Sequence, residues 1–112
     1  MEMKLTPRFY QDGERIFGPG VAELMQQVQV HRSLRSAAQA MEMAYSKAWR
    51  IIRNAEEGFG CKLLNSTIGG RNGGGAVLTP EGEQIMAAYQ SFSADINAYS
   101  QARFQETFQD WI

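Results

Sequence analysis

Two short amphipathic segments, separated by a three-residue break within residues 33–64, constrain the fold of this chain most. Their apolar stripes, each at helical spacing, are Leu34, Ala37, Ala38 and Met41, and then Ala48, Ile51, Ile52 and Ala55. The small alanines allow two helices to cross closely over a tight turn. The sequence therefore predicts a helix capped by Ser33, a turn at 42–44, and a second helix that starts at Ala44 or Tyr45, runs to Glu57 and ends at Gly58 or Gly60.

The segment before this pair predicts a β-hairpin and one core helix. Residues 3–17 read as two strands around Asp12-Gly13, a pair that favours the positive φ angles of a two-residue turn. Pro7 cannot donate a ladder hydrogen bond, which favours an edge position. The helix that follows Gly18-Pro19-Gly20 has its apolar face at Val21, Leu24, Met25 and Val28, and we expect it to end near Val30.

The segment after the pair predicts a β-wing and a long terminal helix. Short extended runs flank a glycine-rich tip at 69–75, which lacks the Lys-Ser/Thr of a phosphate-binding loop. Thr79 and Pro80 form a strong helix start. A heptad-like seam of about 25 residues then follows, and its apolar positions are Ile85, Tyr89, Phe92, Ile96 and Tyr99, continued with a one-residue shift by Phe104, Phe108 and Trp111. We expect this helix to exceed its own domain and to form a dimer interface; the alternative is a helix folded back over the domain.

Composition excludes several classes of protein. The chain has 112 residues, which suffices for one domain, and no apolar run long enough to cross a bilayer. Its first residues do not resemble a signal peptide, so we expect a cytoplasmic protein without membrane partners. With one cysteine, Cys61, and one histidine, His31, we expect no internal disulfide, no metal site, no cofactor and no catalytic residues. We interpret Cys61 as a packing residue and His31 as the close of a helix.

The charge is distributed unevenly although the net charge is only −1. Residues 31–75 hold seven basic residues against three acidic ones, a net of +4. Residues 76–112 hold one arginine against five acids, a net of −4. A polyanion-binding face would require positive charge on the helix pair, as this distribution provides.

The order of these elements resembles a known family. The residues that carry the resemblance are Ser33-Leu34, Ala37-Ala38, Tyr45-Ser46-Lys47-Ala48-Trp49, Leu63-Leu64, Gly73 to Thr79, and Gly82. They are similar to the winged helix-turn-helix domain of LysR-type regulators, and more closely to the N-terminal DNA-binding domain of molybdate-responsive regulators of the ModE type. The resemblance covers about half of the chain directly. It implies a homodimer with one recognition helix per subunit in successive major grooves.

Three departures from the family accompany this resemblance. Glu42 stands where the family usually has Gly in the turn, and Ala44 stands where it usually has a Ser cap. The molybdate-binding modules that follow this domain in ModE-type regulators have no counterpart in this sequence. We therefore expect no molybdate binding here.

Candidate DNA-binding residues follow from rotating the second helix about its buried side. The full set is Ser33, Arg35, Tyr45, Ser46, Lys47, Arg50, Arg53, Arg71 and Asn72. Arg50 is the best candidate for a guanine edge, Ser46 or Tyr45 for a base or phosphate, and Lys47 and Arg53 for phosphates. Ser33 and Arg35 could hold a phosphate at the start of the first helix, and Arg71 and Asn72 could reach a minor groove. Trp49 borders the buried side, and we interpret it as a core anchor; the alternative is a base-stacking platform.

The sequence thus predicts a mainly α fold with little β structure. It is a single winged helix-turn-helix domain over 1–112, with a hairpin at 1–18, the helix-turn-helix and wing at 19–79, and a dimerisation helix at 80–112. The predicted function is a homodimeric, sequence-specific transcriptional regulator, with helix 45–57 in the major groove and wing 69–75 at the minor groove or phosphates. The alternative is a protein-interaction module that keeps the fold without reading DNA.

Overall fold

The predicted order of elements is present in a computed structural model, which describes residues 1–67 and 75–112. The elements are β1 (Phe9–Gln11), β2 (Glu14–Phe17), α1 (Pro19–His31), α2 (Leu34–Ala40), α3 (Tyr45–Phe59), β3 (Leu64–Thr67), β4 (Gly75–Leu78) and α4 (Pro80–Thr107). β1 pairs with β2, and β3 with β4, as two separate antiparallel ladders. The mainly α winged helix-turn-helix is confirmed. Of the predicted wing tip, only Gly75 lies within the described residues.

The core lies where α1, α2 and α3 meet. It contains the predicted apolar face of α1 together with Ala37 and Ala38 from α2 and Ala48, Ile52 and Ala55 from α3, all buried. Alanine on both helices of the pair removes side-chain bulk at the crossing, which lets α2 and α3 approach over a four-residue connection. This arrangement leaves the opposite side of α3 without cover.

The N-terminal hairpin forms where the sequence predicts it but is shorter. Asp12 and Gly13 have φ angles of 51° and 81°, as the two-residue turn requires. Its second strand packs closely on α3 at Gly58. A Cβ at that position would come within 2.5 Å of the Ile16 side chain. The sequence predicts a first strand from residue 3, whereas β1 begins at Phe9.

Residues 3–7 are held by α4 rather than by the sheet, and we call this segment the N-terminal arm. The Tyr89 hydroxyl donates to the Pro7 carbonyl at 2.7 Å, and the Asn97 amide donates to the Leu5 carbonyl at 2.9 Å. The Gln101 amide donates to the Met3 carbonyl. The arm therefore runs antiparallel to α4 and is bound through every second carbonyl. Because these residues bind α4, the hairpin begins later than predicted.

The wing base is tied to the start of α4 through Thr79. Its backbone N–H donates to the Leu63 carbonyl at 2.9 Å, and its hydroxyl donates to the Lys62 carbonyl at 2.6 Å. The same hydroxyl oxygen accepts from the Gly82 N–H at 2.8 Å, which confirms the predicted N-cap. A Cβ on Gly82 would lie 2.4 Å from the Leu63 carbonyl oxygen, so this contact requires glycine.

The last helix, α4, is much longer than the domain it leaves. It has 28 residues, about 42 Å at the usual helical rise, and the whole molecule measures 60 × 27 × 24 Å. Its buried residues are Gly82, Met86 and Tyr89, all in its first ten residues. Beyond them the helix continues unbroken instead of folding back over the domain. Within residues 1–67 and 75–112, no helix combines the length and apolarity needed to cross a membrane.

Candidate nucleic-acid interface

Helix α3 presents one side to the core and the other to solvent. Ala48, Ile52 and Ala55 point inward and are at most 2% exposed. Ser46, Arg50 and Arg53 lie on the opposite side and are exposed, as the helical rotation predicts, and Lys47 is exposed beside them. The outer surface of α3 is therefore accessible along its length and carries basic side chains.

The turn before α3 carries the strain that the missing glycine implies. Glu42 has a φ of 55°, in the left-handed region that glycine occupies at much lower cost. The Met43 N–H donates to the Ala38 carbonyl at 2.9 Å, which fixes the direction of the turn. Ala44 is the N-cap of α3 and supplies no side-chain hydrogen bond. Both departures therefore weaken the start of α3, yet the helix begins at Tyr45 as predicted.

The preceding cap is intact. The Ser33 hydroxyl oxygen accepts from the Ser36 N–H at 3.1 Å, which confirms the predicted cap of α2. Ser33 is half-buried, and its hydroxyl oxygen is already engaged with Ser36. The hydroxyl can therefore offer an approaching phosphate only its O–H as a donor. Arg35, the second residue of α2, is exposed and turns toward α3.

A row of two aromatic side chains and two arginines runs along the outer surface of α3. The Arg35 guanidinium carbon lies 4.4 Å from the centre of the Tyr45 ring. The Trp49 indole N–H donates to the Tyr45 hydroxyl oxygen at 3.0 Å. The Arg53 guanidinium carbon lies 5.9 Å from the Trp49 ring centre. We call Arg35, Tyr45, Trp49 and Arg53 the aromatic row.

The prediction that Trp49 is a core anchor is wrong. Its side chain is 42% exposed and lies outside the buried cluster. The reason is local: Trp49 stands one residue after the inward Ala48, at the edge of the buried stripe, and the hydrogen bond to Tyr45 turns the indole outward. The four-residue spacing of 45, 49 and 53 was the available signal, since residues at that spacing are neighbours on a helix.

The outer surface of α3 is electropositive. In the parts of the chain that the structure describes, neither Lys47, Arg50 nor Arg53 forms an ion pair, and the ion pairs present lie elsewhere. A shallow groove of about 550 Å³ runs along this surface. Its lining is Tyr45, Ser46, Trp49, Arg50, Arg53, Asn54 and Glu57. Among these residues Glu57 is the one acid, at the far end of the helix from Tyr45.

The wing base lies beside the end of α1. Arg32, the C-cap of α1, accepts a hydrogen bond at its carbonyl from the Ala76 N–H at 3.0 Å. The wing base therefore lies close to Ser33 and the start of α2. The candidates Arg71 and Asn72 lie outside the described residues.

The far end of α3 is fixed by a contact that the sequence did not reveal. The Glu56 carboxylate accepts from the backbone N–H of Leu63 at 2.8 Å, and the N–H of Leu64 lies at 3.4 Å. Glu56 therefore orients α3 relative to the wing instead of opposing its basic surface.

The seven predicted dimer residues lie on α4 or, for Phe108, at its C-cap, and their environments range from buried to exposed. Tyr89 is 7% exposed, and its ring packs against Phe17 at a centroid distance of 5.0 Å, so at most its edge is left for a second chain. Ile85 is partly buried against the core. Phe92, Tyr99 and Phe108 are 46%, 69% and 47% exposed. Ile96 and Phe104 are half-buried.

Comparison with known proteins agrees with this geometry. Residues 22–83 match the family described as bacterial regulatory helix-turn-helix protein, lysR family. The chain is 34% identical over 64 residues to the molybdenum-pterin-binding protein MopB of Rhodobacter capsulatus, covering 57% of this chain and 24% of MopB.

Two regulators named ModE are also similar. That of Yersinia pestis is 29% identical over 110 residues, covering 98% of this chain and 38% of the regulator. That of Escherichia coli K12, a DNA-binding transcriptional dual regulator, is 27% identical over 89 residues, covering 80% of this chain and 32% of the regulator. The chain thus spans less than two fifths of the length of these relatives.

Proposed function

This chain belongs to the bacterial regulatory helix-turn-helix family of the lysR type, and from that premise we propose that it is a homodimeric, sequence-specific DNA-binding regulator of transcription. The observation that carries the proposal is the outer surface of α3, where Lys47, Arg50 and Arg53 are exposed together. Helices of this motif enter the major groove with their N-terminal residues against the bases. Family membership also agrees with the prediction that the chain is not an enzyme.

In the proposed complex each exposed side chain has a role that follows from its chemistry. Arg50 reads a guanine edge, because a guanidinium can donate to O6 and N7 together. Ser46 meets a base or a phosphate, and Lys47 and Arg53 bind phosphates. Ser33 and Arg35 bind a phosphate at the start of α2. Arg71 and Asn72 of the wing complete the contact at the adjacent minor groove or its phosphates.

The second chain of the proposed dimer packs on α4. Phe92, Tyr99 and Phe108 offer exposed aromatic surface there, and Ile85, Ile96 and Phe104 add partial surface. Such a dimer would present two α3 helices to half-sites about one turn of DNA, roughly 34 Å, apart. The site of action would be the cytoplasm, where the DNA of a bacterial cell lies. Molybdate has no part in this proposal.

The proposal is tested by selecting bound duplexes from a randomised DNA pool with the whole chain. We expect enrichment of one palindromic sequence, and an association constant that falls steeply with salt, because several phosphates are neutralised. Replacing Arg50 and Arg53 together by Ala should abolish selection. Replacing Arg8 and Arg15 together by Ala removes the same two charges from exposed positions at the N-terminal hairpin and serves as the charge-matched control. Binding without any sequence preference would contradict the proposal.

A second candidate function, a protein-interaction module, is favoured by one observation. An apolar groove of about 270 Å³ lies between β1, the end of α3 and α4. Its lining is Phe9, Phe59, Ile85, Ala88, Tyr89 and Phe92. A module of this kind would show no salt-dependent association with DNA and would bind its partner through α4.

A further inference from the structure

We infer that Tyr45 and Trp49 of the aromatic row form a surface that reads the C5 methyl groups of thymines in the major groove. The inference rests on the proposed function and adds a second class of contact to it. Arg50 would select guanine by hydrogen bonds, whereas Tyr45 and Trp49 would select thymine by apolar contact.

Trp49 stands where a recognition helix meets base edges. It is the fifth residue of α3, within the N-terminal half that faces base edges in this motif. Its indole is 42% exposed on the same side as Arg50 and Arg53, and all three line the same groove. A large ring left in water at this point gains free energy when an apolar group covers it.

The hydrogen bond between Trp49 and Tyr45 leaves the indole surface apolar. Tryptophan has one donor, the indole N–H, and here it is given to the Tyr45 hydroxyl oxygen at 3.0 Å. The rest of the indole surface is carbon, so Trp49 offers a base no hydrogen bond. Among the groups on the major-groove edges, only the thymine methyl is apolar. Tyr45 keeps its own O–H to donate to a phosphate or base acceptor.

Cations stand at both ends of the row, and they favour DNA over an apolar protein surface as the occupant. Arg35 lies over Tyr45 and Arg53 lies beside Trp49. Residues 45 and 53 are about 12 Å apart along the helix axis. An apolar partner would have to desolvate both guanidinium groups, whereas DNA phosphates would bind them. The row therefore fits an apolar stripe bordered by phosphates.

Base stacking is not available to these rings in an intact duplex. The faces of the bases are already stacked, and a helix in the major groove meets only base edges. The apolar group that an edge projects into the groove is the thymine methyl. In an intact duplex the two rings can therefore contact a base through the thymine methyl.

The experiment uses the duplex most enriched by selection with the whole chain, synthesised with thymine or with deoxyuridine, which lacks only the methyl. We expect the uracil duplex to bind wild type about fourfold more weakly for each methyl contacted. Single replacements locate the thymines concerned. Trp49→Ala should remove the difference between thymine and uracil at those positions.

Two further variants separate the effect of the Trp49 ring from that of its hydrogen bond and from that of exposed aromatic side chains in general. Trp49→Phe keeps an apolar ring but not the hydrogen bond, and should retain most of the thymine preference. Tyr10→Ala removes another exposed aromatic paired with an arginine, on the hairpin, and should leave the preference unchanged.

Each remaining outcome decides the inference. Equal binding of thymine and uracil duplexes by wild type would overturn it while leaving the proposed function intact. A thymine preference that survives Trp49→Ala would overturn it as well. Failure to enrich any sequence would overturn the proposed function together with the inference.

Discussion

Helices α3 and α4 differ in length, in charge and in the kind of side chain that they leave exposed. α3 buries a narrow apolar stripe and turns an electropositive side to solvent. α4 is almost twice as long, carries net negative charge and buries only residues of its first turns. The side of α3 left uncovered is charged and suits a polyanion, whereas the side of α4 left uncovered is aromatic and suits another protein chain.

The difference shows how a nearly neutral chain can bind DNA. The net charge of −1 conceals a +4 segment over residues 31–75 and a −4 segment over 76–112. The acidic segment would repel DNA from the proposed dimer surface and leave the basic segment as the docking side. The local charge of this basic segment, not the overall balance, therefore governs the partner.

The largest expected effect concerns the contact between the start of α4 and the wing base. In Gly82→Ala the added Cβ would meet the Leu63 carbonyl oxygen, so the start of α4 must move off the wing base. We expect a loss of about 2 kcal/mol in the free energy of unfolding, measured by urea titration. Gly20→Ala is the matched control, because nothing lies within 4 Å of its Cβ. An unchanged midpoint for Gly82→Ala would show that α4 is not held there.

The next effect tests the exposed aromatic surface of α4. Tyr99 is 69% exposed in the single chain, and Tyr99→Glu would bury a charge in the proposed interface. We expect the dimer dissociation constant to rise more than tenfold, about 1.4 kcal/mol, in sedimentation equilibrium. Wild type should sediment at twice its 12.6 kDa mass. A Tyr99→Glu protein as dimeric as wild type would remove Tyr99 from the interface.

A smaller effect tests the strained turn before α3. Glu42→Gly should stabilise the fold by about 1 kcal/mol, because glycine adopts the φ of 55° without the Cβ penalty. Asp12→Gly, at a φ of 51° in the hairpin, should gain less, because aspartate tolerates this conformation better. Thermal unfolding measures both. Equal gains at the two sites would mean that Glu42 is not strained beyond an ordinary turn residue.

The smallest effect concerns the uncapped start of α3. Ala44→Ser supplies the missing acceptor and should add about 0.5–1 kcal/mol to stability. Ser33→Ala removes the equivalent acceptor from α2, where the hydroxyl bonds the Ser36 N–H, and should cost a similar amount. Denaturant titrations of the pair should therefore shift in opposite directions. A destabilised Ala44→Ser protein would contradict the assignment of Ala44 as N-cap.

Local chemistry accounts for the parts of the fold that the sequence predicts well. Asp12-Gly13 determines the hairpin turn, Ser33 and Thr79 determine two helix starts, and the alanine pattern determines which side of α3 is buried. Each signal depends on neighbours within a few residues, so it can be read without knowing the fold.

The features that sequence reasoning missed depend on contacts between distant segments or on the size of one side chain. The N-terminal arm is held through its backbone carbonyls, which carry no sequence signal, by residues more than 80 positions away. Trp49 stands at the edge of the buried stripe, where helical rotation alone cannot decide the direction of a large ring. The Glu56 contact with the wing is likewise invisible until the end of α3 is placed.

We propose above all that the outer surface of α3 reads base sequence. The most direct test is the ratio of affinities for the selected duplex and a scrambled duplex of equal length, compared for wild type, Arg50→Ala and Arg53→Ala. We predict that Arg50→Ala lowers this ratio about tenfold or more, because it removes a base contact, while Arg53→Ala weakens both duplexes equally. A ratio unaffected by Arg50→Ala would contradict the claim.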